Sequence, residues 1–562
     1  ITSTSDEINP DGCELSNLGE TQIIVSVAKI NALAGNIRSV VDIWEKANSN
    51  NVFSYWRWSC PKTPITTEPV DIDGDANPFD GYGFTNIGQK TRNPEACGIQ
   101  ECPLGSTLSF SPENPKATTL YGVLPGYVCE GSNPAKQPPN FCAGNPIIIA
   151  TGNKFQTEPD YQSQKPFGLS FTRFYNSKAT NFSSGIGKKW QHNYSRHIAV
   201  NGANAVFYRG NGQTLYFNNL NINGGGTHWQ ADADNPDTLV EIFDTDNNRS
   251  GWVYATSIDT VEMYNSTGQL LSITNRLGQS QTFVHNLSLL DGGDGDDRTL
   301  DKITGFFGDT ISFSYDTSHR ITRMTNPQGQ HTEYSYDVVG NLIQVTYPDE
   351  TKQDTNDNPI RRYHYENINF SHHLTGITDE NNTRYVTWAY DEDGLAISSE
   401  HAGGIDKETL DFLNPDDFEG IDFSKLDPNL LSFNHWVSVT NALNKKTTYF
   451  FKSIQGISKV TLVAGHATES CLGANQAYTY DDNGYLASKT DWQGITTSYQ
   501  HNAKGLELSR TEAKDTPEAR TITTQWHASF RLPIKITEPG KITEYSYDEQ
   551  GRLLSQSSRD TK

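Results

Sequence analysis

The stretch Thr543-Glu544-Tyr545-Ser546-Tyr547-Asp548-Glu549-Gln550-Gly551-Arg552-Leu553-Leu554-Ser555 decides how this chain is read. Alternating residues rich in Tyr, Thr and Ser on one side, and Leu-Leu-Ser on the other, are strands. Between them Asp-x-x-Gly is a turn, in which the Asp side chain takes up backbone amides and Gly supplies a positive φ. The unit is a hairpin.

The same unit recurs. Tyr336-Asp337 with Gly340, and Tyr480-Asp481 with Gly484, repeat Tyr547-Asp548 with Gly551. Tyr315-Asp316 and Tyr390-Asp391 anchor further copies, and Tyr264, His285, Tyr365, His501 and Trp526 anchor degenerate ones. The anchors stand 21 residues apart from 264 to 285, 315 to 336, 480 to 501 and 526 to 547. A second turn falls mid-repeat, as in Asn326-Pro327-Gln328-Gly329 and Asp491-Trp492-Gln493-Gly494. A two-strand hairpin cannot bury its own face, so neighbours must stack. The expectation is mainly β: hairpins stacked into a sheet that curls because strands twist.

Composition agrees. Hydrophobic residues make up 35% and charged residues 20%, while 26 Tyr, 25 Phe and 10 Trp supply the buried area, with 46 Gly and 25 Pro for turns. Tyr suits such strands because its ring is buried while its hydroxyl stays hydrogen-bonded. The net charge of −23 excludes a nucleic-acid backbone as partner, and no 18-residue apolar run encodes a membrane span.

Four regions are expected. Residues 1–51 carry apolar positions Ile23, Val27, Ile30, Ala34, Ile37, Val41 and Trp44 at steps of four and three, the spacing of an amphipathic helix over 22–47. Such a helix packs on its own chain or joins copies into a homo-oligomer. Residues 52–143 are rich in Pro, Gly and Cys. Six of the seven cysteines, Cys13, Cys60, Cys97, Cys102, Cys129 and Cys142, fall within the first 142 residues and read as a disulfide framework of unassigned pairing in an oxidising compartment. Residues 144–250 are β-rich, and 251–562 hold the repeats, with an acidic insertion at about 403–435.

Asp71, Asp73, Asp75 and Asn77 alternate on a loop as in the first half of a calcium-binding EF-hand loop, but Tyr82 stands where the bidentate Glu belongs. A calcium ion and a plain solvated turn are both open readings, and Asp291–Asp297 is a weaker case of the same choice. No other cofactor is implied. No Gly-x-Ser-x-Gly elbow, phosphate loop or His-Glu-x-x-His occurs, so no catalytic residue is assigned. His372-His373 are not expected to share a metal, since adjacent strand residues face opposite ways.

The units resemble the YD repeats of RHS proteins, shared with the teneurins and the cocoon component of Tc toxins. Gly144–Lys154, Leu169–Asn176 and Trp190–Tyr194 resemble the domain that opens many bacterial RHS shells. The resemblance covers about 144–562 and implies encapsulation: a secreted or cell-surface bacterial shell segment serving toxin delivery or interbacterial competition. Its implied partner is the C-terminal remainder of the same protein, a payload. The chain opens on Ile1 and ends soon after a well-formed repeat, so it reads as an N-terminal portion ahead of the closing protease and toxin domains. The alternatives are a teneurin-like adhesion or matrix protein that binds a cell-surface protein or glycan, and a polysaccharide-active enzyme.

Overall fold

The computed structural model describes Lys136 and residues 141–562, except 180–184, 203, 220–227, 286–298, 350–356, 415–417, 419–420, 422–432, 468–473 and 562, plus five strand backbones before residue 132. The chain divides into Ile1–Asn133 and Pro134–Lys562.

In the first unit, Ile24–Ser26, Phe53–Pro61 and Ile37–Lys46 form a three-stranded sheet, and Ser106–Phe110 pairs with Tyr127–Gly131. The helix expected over 22–47 is corrected: Ile37–Lys46 is a strand, antiparallel to Phe53–Pro61. Its sequence carries two Ile and two Val, whose branched side chains favour the pleated backbone. Gly35 just before it would weaken a helix that ran through. The four-and-three spacing was real, but pairing with an aromatic-rich strand outweighs it.

The second unit holds one antiparallel sheet of 30 strands, each paired with its sequence neighbour, from His197–Asn201 to Leu553–Asp560. The expected turns are its joints. In the turn after Tyr336, Asp337 Oδ1 accepts the amides of Val339 (3.0 Å) and Asn341 (2.8 Å), and Gly340 adopts φ +91°. The Asp481 turn repeats this with Asn483 and Tyr485, and the Asp548 turn with Gln550 and Arg552. Mid-repeat turns use the same device, with Asn326 and Asp491 as acceptors.

A register shift falls at the anchor itself, between Ser314 and Tyr315, Ser335 and Tyr336, Ala389 and Tyr390, Thr479 and Tyr480, and Ser546 and Tyr547. Each shift is a β-bulge, which adds local right-handed twist. Repeated at these anchors, it adds to the coiling of the sheet.

One face of the sheet carries the core: Phe283, Ile303, Phe313, Met324, Tyr334, Val345, Tyr363, Ile377 and Trp388 are buried. A second sheet of five strands, ordered Trp190–His192, Ser170–Asn176, Asn153–Gln162, Ile147–Ile148, Cys142–Ala143, lies on that face. Its Phe171 meets Phe313 (5.1 Å between ring centres) and its Trp190 meets Tyr363 (5.0 Å), while Tyr194, in the turn after Trp190–His192, meets Phe283 (5.1 Å).

Candidate functional site

The repeat anchors act by tying each hairpin to the one before. Tyr315, Tyr336, Tyr390, Tyr480 and Tyr547 donate their hydroxyls to the carbonyls of Leu300, Ile321, Leu374, Val460 and Pro533, at 2.6–2.8 Å. At two positions where the tyrosine is replaced the bond survives: Trp526 Nε1 donates to the Glu507 carbonyl (2.8 Å), and a His285 ring nitrogen lies 2.7 Å from that of Leu270. The motif is thus a lock between successive hairpins. A ring fills the core face while one polar atom reaches a buried carbonyl.

The five-stranded sheet is held to the repeats by buried charge. Arg173 makes a bidentate pair with Asp160 (2.6 and 2.8 Å), and both side chains are fully buried. The guanidinium also donates to the hydroxyls of Tyr347 (3.1 Å) and Tyr363 (3.0 Å), while Tyr334 donates to Asp160 (2.8 Å). Burial alone would lower the pKa of Arg173, but Asp160 beside it raises it well above the ordinary value. Glu158 pairs with Arg361 (2.6 Å). Lys154, fully buried, donates to the carbonyls of Asn145 and Phe155 and to Gln156 Oε1, and lies 3.9 Å from the Trp388 ring centre. Burial pushes its pKa well down. Glu262, also buried, receives Arg196, Arg209 and Tyr264.

A third group of contacts joins distant parts of the large sheet. Lys136 pairs with Asp232 (2.5 Å) and Asp234 (3.1 Å) and donates to the Gln455 carbonyl. Tyr485 donates to the Ala233 carbonyl (3.3 Å), 252 residues away, and the Arg531 amide to Asp259 (3.4 Å), 272 residues away. Arg276 lies over Phe530. In each case hairpin ends from one side of the sheet meet hairpin ends from the other side, many strands later. The coiled sheet therefore rejoins itself along a seam.

Sequence reasoning found the anchors but missed Arg173, Asp160, Lys154, Lys136 and Glu262. One signal was present: Arg173 is in phase with Phe171 and Tyr175 on a strand, a charge on the apolar face. Asp71, Asp73, Asp75 and Asn77 lie outside the described residues, as does Asp291–Asp297. Cys142 carries a free, exposed thiol rather than the expected disulfide. The side chains of Cys13, Cys60, Cys97, Cys102 and Cys129 lie outside the described residues. Among the described residues no cluster of His, Cys, Asp and Glu could hold a metal ion, and no helix is long and apolar enough to cross a membrane.

His372 and His373 sit in a loop, not on a strand, but they do point apart. His372 Nδ1 is 2.7 Å from Asn341 Oδ1, and His373 packs between Phe370 and Tyr390. Burial, with Lys189 and Lys178 nearby, pushes the His373 imidazole down to about 4. The unfolded chain takes up this proton near pH 6.5, and the folded protein only near pH 4. Stability from this group is therefore complete above about pH 6.5 and falls as pH drops through that window, by about 3 kcal/mol in all. Urea midpoints at pH 7 and 4.5 should fall further apart in the wild type than in His373→Gln; equal drops would remove the assignment.

Two family models match the chain: a domain of unknown function, DUF6531, over residues 144–217, and the RHS Repeat over residues 308–352. No curated protein sequence matches. Among solved structures, a crystal structure of TcdB2-TccC3-TEV is similar at 13% identity and a TM-score of 0.35, over 71% of this chain and 20% of that one. The Photorhabdus luminescens Tc holotoxin pore with mutation TccC3-D651A is similar at 13% identity and a TM-score of 0.29, over 63% and 21%. The N-terminal domain of the effector SpvB from Salmonella typhimurium strain LT2 is similar at 11% identity and a TM-score of 0.22, over 44% and 97%. The chain spans about a fifth of the TcdB2-TccC3-TEV chain. The matched repeat contains Tyr315, Asp316, Tyr336 and Asp337, and the same turn and hydroxyl lock run on to Tyr547; the chain carries RHS, or YD, repeats behind a DUF6531 domain.

Proposed function

We propose that this chain is a wall segment of a secreted bacterial RHS shell that encloses a polypeptide carried by the rest of the same protein, in toxin delivery or interbacterial competition. The observation that carries this reading is the seam. Hydrogen bonds between successive strands make the sheet continuous in one direction, and the contacts of Lys136, Tyr485 and Arg531 make it continuous in the other. A wall continuous in both directions suits containment. The role is structural, and the partner is internal to the polypeptide.

The test is limited proteolysis of the natural full-length protein, read by peptide mass spectrometry. Peptides from the segment beyond this chain should stay uncut under conditions that digest the same segment expressed alone. Equal digestion of both would sink the reading.

A further inference from the structure

We infer that a cavity at the degenerate repeat around Trp526 is a binding site for a planar aromatic acid. It has a volume of about 420 Å³ and is walled by Leu506, Leu508, Trp526 and Phe530, with Lys504 and Arg531 at its polar side.

Its origin lies in the repeat. In two repeats the residue four positions after the turn's Asp reaches toward the next anchor. In one repeat this is Arg320, whose guanidinium lies 4.6 Å from the Tyr336 ring centre. In another it is Tyr485, whose ring lies 5.6 Å from that of His501 and against Gly505. After Asn502 the same position holds Leu506, which is too short to cover Trp526. The next turn is also altered. His527 replaces Asp and accepts the amides of Ser529 (3.2 Å) and Phe530 (3.1 Å) through Nδ1, and its ring stacks on Phe530 at 4.9 Å. The space that Arg320 and Tyr485 fill in their own repeats is therefore open here, with aromatic walls.

Charge selects the occupant. The chain carries −23 overall, yet no Asp or Glu lines this cavity. Lys504 is exposed and makes no ion pair among the described residues. Arg531 spends one nitrogen on the Lys504 carbonyl (2.7 Å). A second guanidinium is disfavoured beside these cations, whereas a flat ring bearing a carboxylate meets both the walls and the ammonium. The inference is independent of the shell reading, since it concerns only the cavity.

The test is titration of the whole chain with 4-hydroxyphenylacetate, and with its neutral amide, followed by calorimetry and saturation-transfer NMR. The acid should bind with a dissociation constant of about 1 mM, the scale for so small a ligand. Lys504→Ala, a change at an exposed position, should weaken the acid roughly tenfold and leave the amide unchanged. Leu506→Tyr, which places at this position the side chain found at 485, should abolish binding of both while the circular dichroism stays that of the wild type. The proposal is overturned if neither ligand binds at millimolar concentration, if acid and amide bind alike, or if Lys504→Ala leaves the acid's affinity unchanged.

Discussion

Arg173→Ala is expected to lower the unfolding free energy by about 3–5 kcal/mol, the cost of leaving one member of a buried ion pair alone. Asp160 would be left without its cation in a site from which water is excluded, with only Tyr334 and Tyr347 donating to it. Arg173 also lies over the Trp190 and Tyr363 rings, so the substitution removes packing at the point where the five-stranded sheet meets the repeats. Asp160→Ala should cost a similar amount for the mirror-image reason. The double variant should cost clearly less than the sum, because the second change removes a charge already stranded by the first. Urea denaturation of the four proteins completes the cycle. Additive losses would mean that the pair is not the contact that matters.

The second large effect concerns two glycines in neighbouring turns with the same positive φ. Gly268 (φ +84°) would place an added Cβ 1.9 Å from the Ile198 carbonyl oxygen, whereas Gly278 (φ +77°) has nothing within 4 Å. Alanine at 278 should cost about 1–2 kcal/mol, the left-handed backbone penalty alone. Alanine at 268 adds overpacking against backbone, about 1–3 kcal/mol more. It would also break the hydrogen bond from the Ile198 amide to the Gly268 carbonyl (3.0 Å). That bond, with the bridge between His197 and Gln269, pins the start of the large sheet to a later turn. Thermal melts of the two variants should therefore separate widely. Equal shifts would show that the contact at Ile198 yields at little cost.

The repeat was legible because its physics is local. Asp337, Gly340 and Tyr336 specify turn and anchor within a few residues, and the 21-residue interval exposes the period. The degenerate anchors were legible for the same reason, as His285 and Trp526 keep a polar nitrogen where tyrosine keeps a hydroxyl. Helical spacing at 22–47 misled because amphipathic steps of four and three can also be met by chance. The decision for Ile37–Lys46 lay in its pairing with Phe53–Pro61.

What the sequence determined by itself is the strand, the turn and the recurrence, and hence a sheet that extends by adding neighbours. The tertiary structure alone decided which face the opening strands cover and where the coiled sheet meets itself. Arg173 and Tyr334 are 161 positions apart, and Tyr485 and Ala233 are 252 apart, yet both pairs belong to single contact networks. Such partners are selected by the accumulated twist of many hairpins, each adding a small rotation at its bulge. No local pattern records that sum.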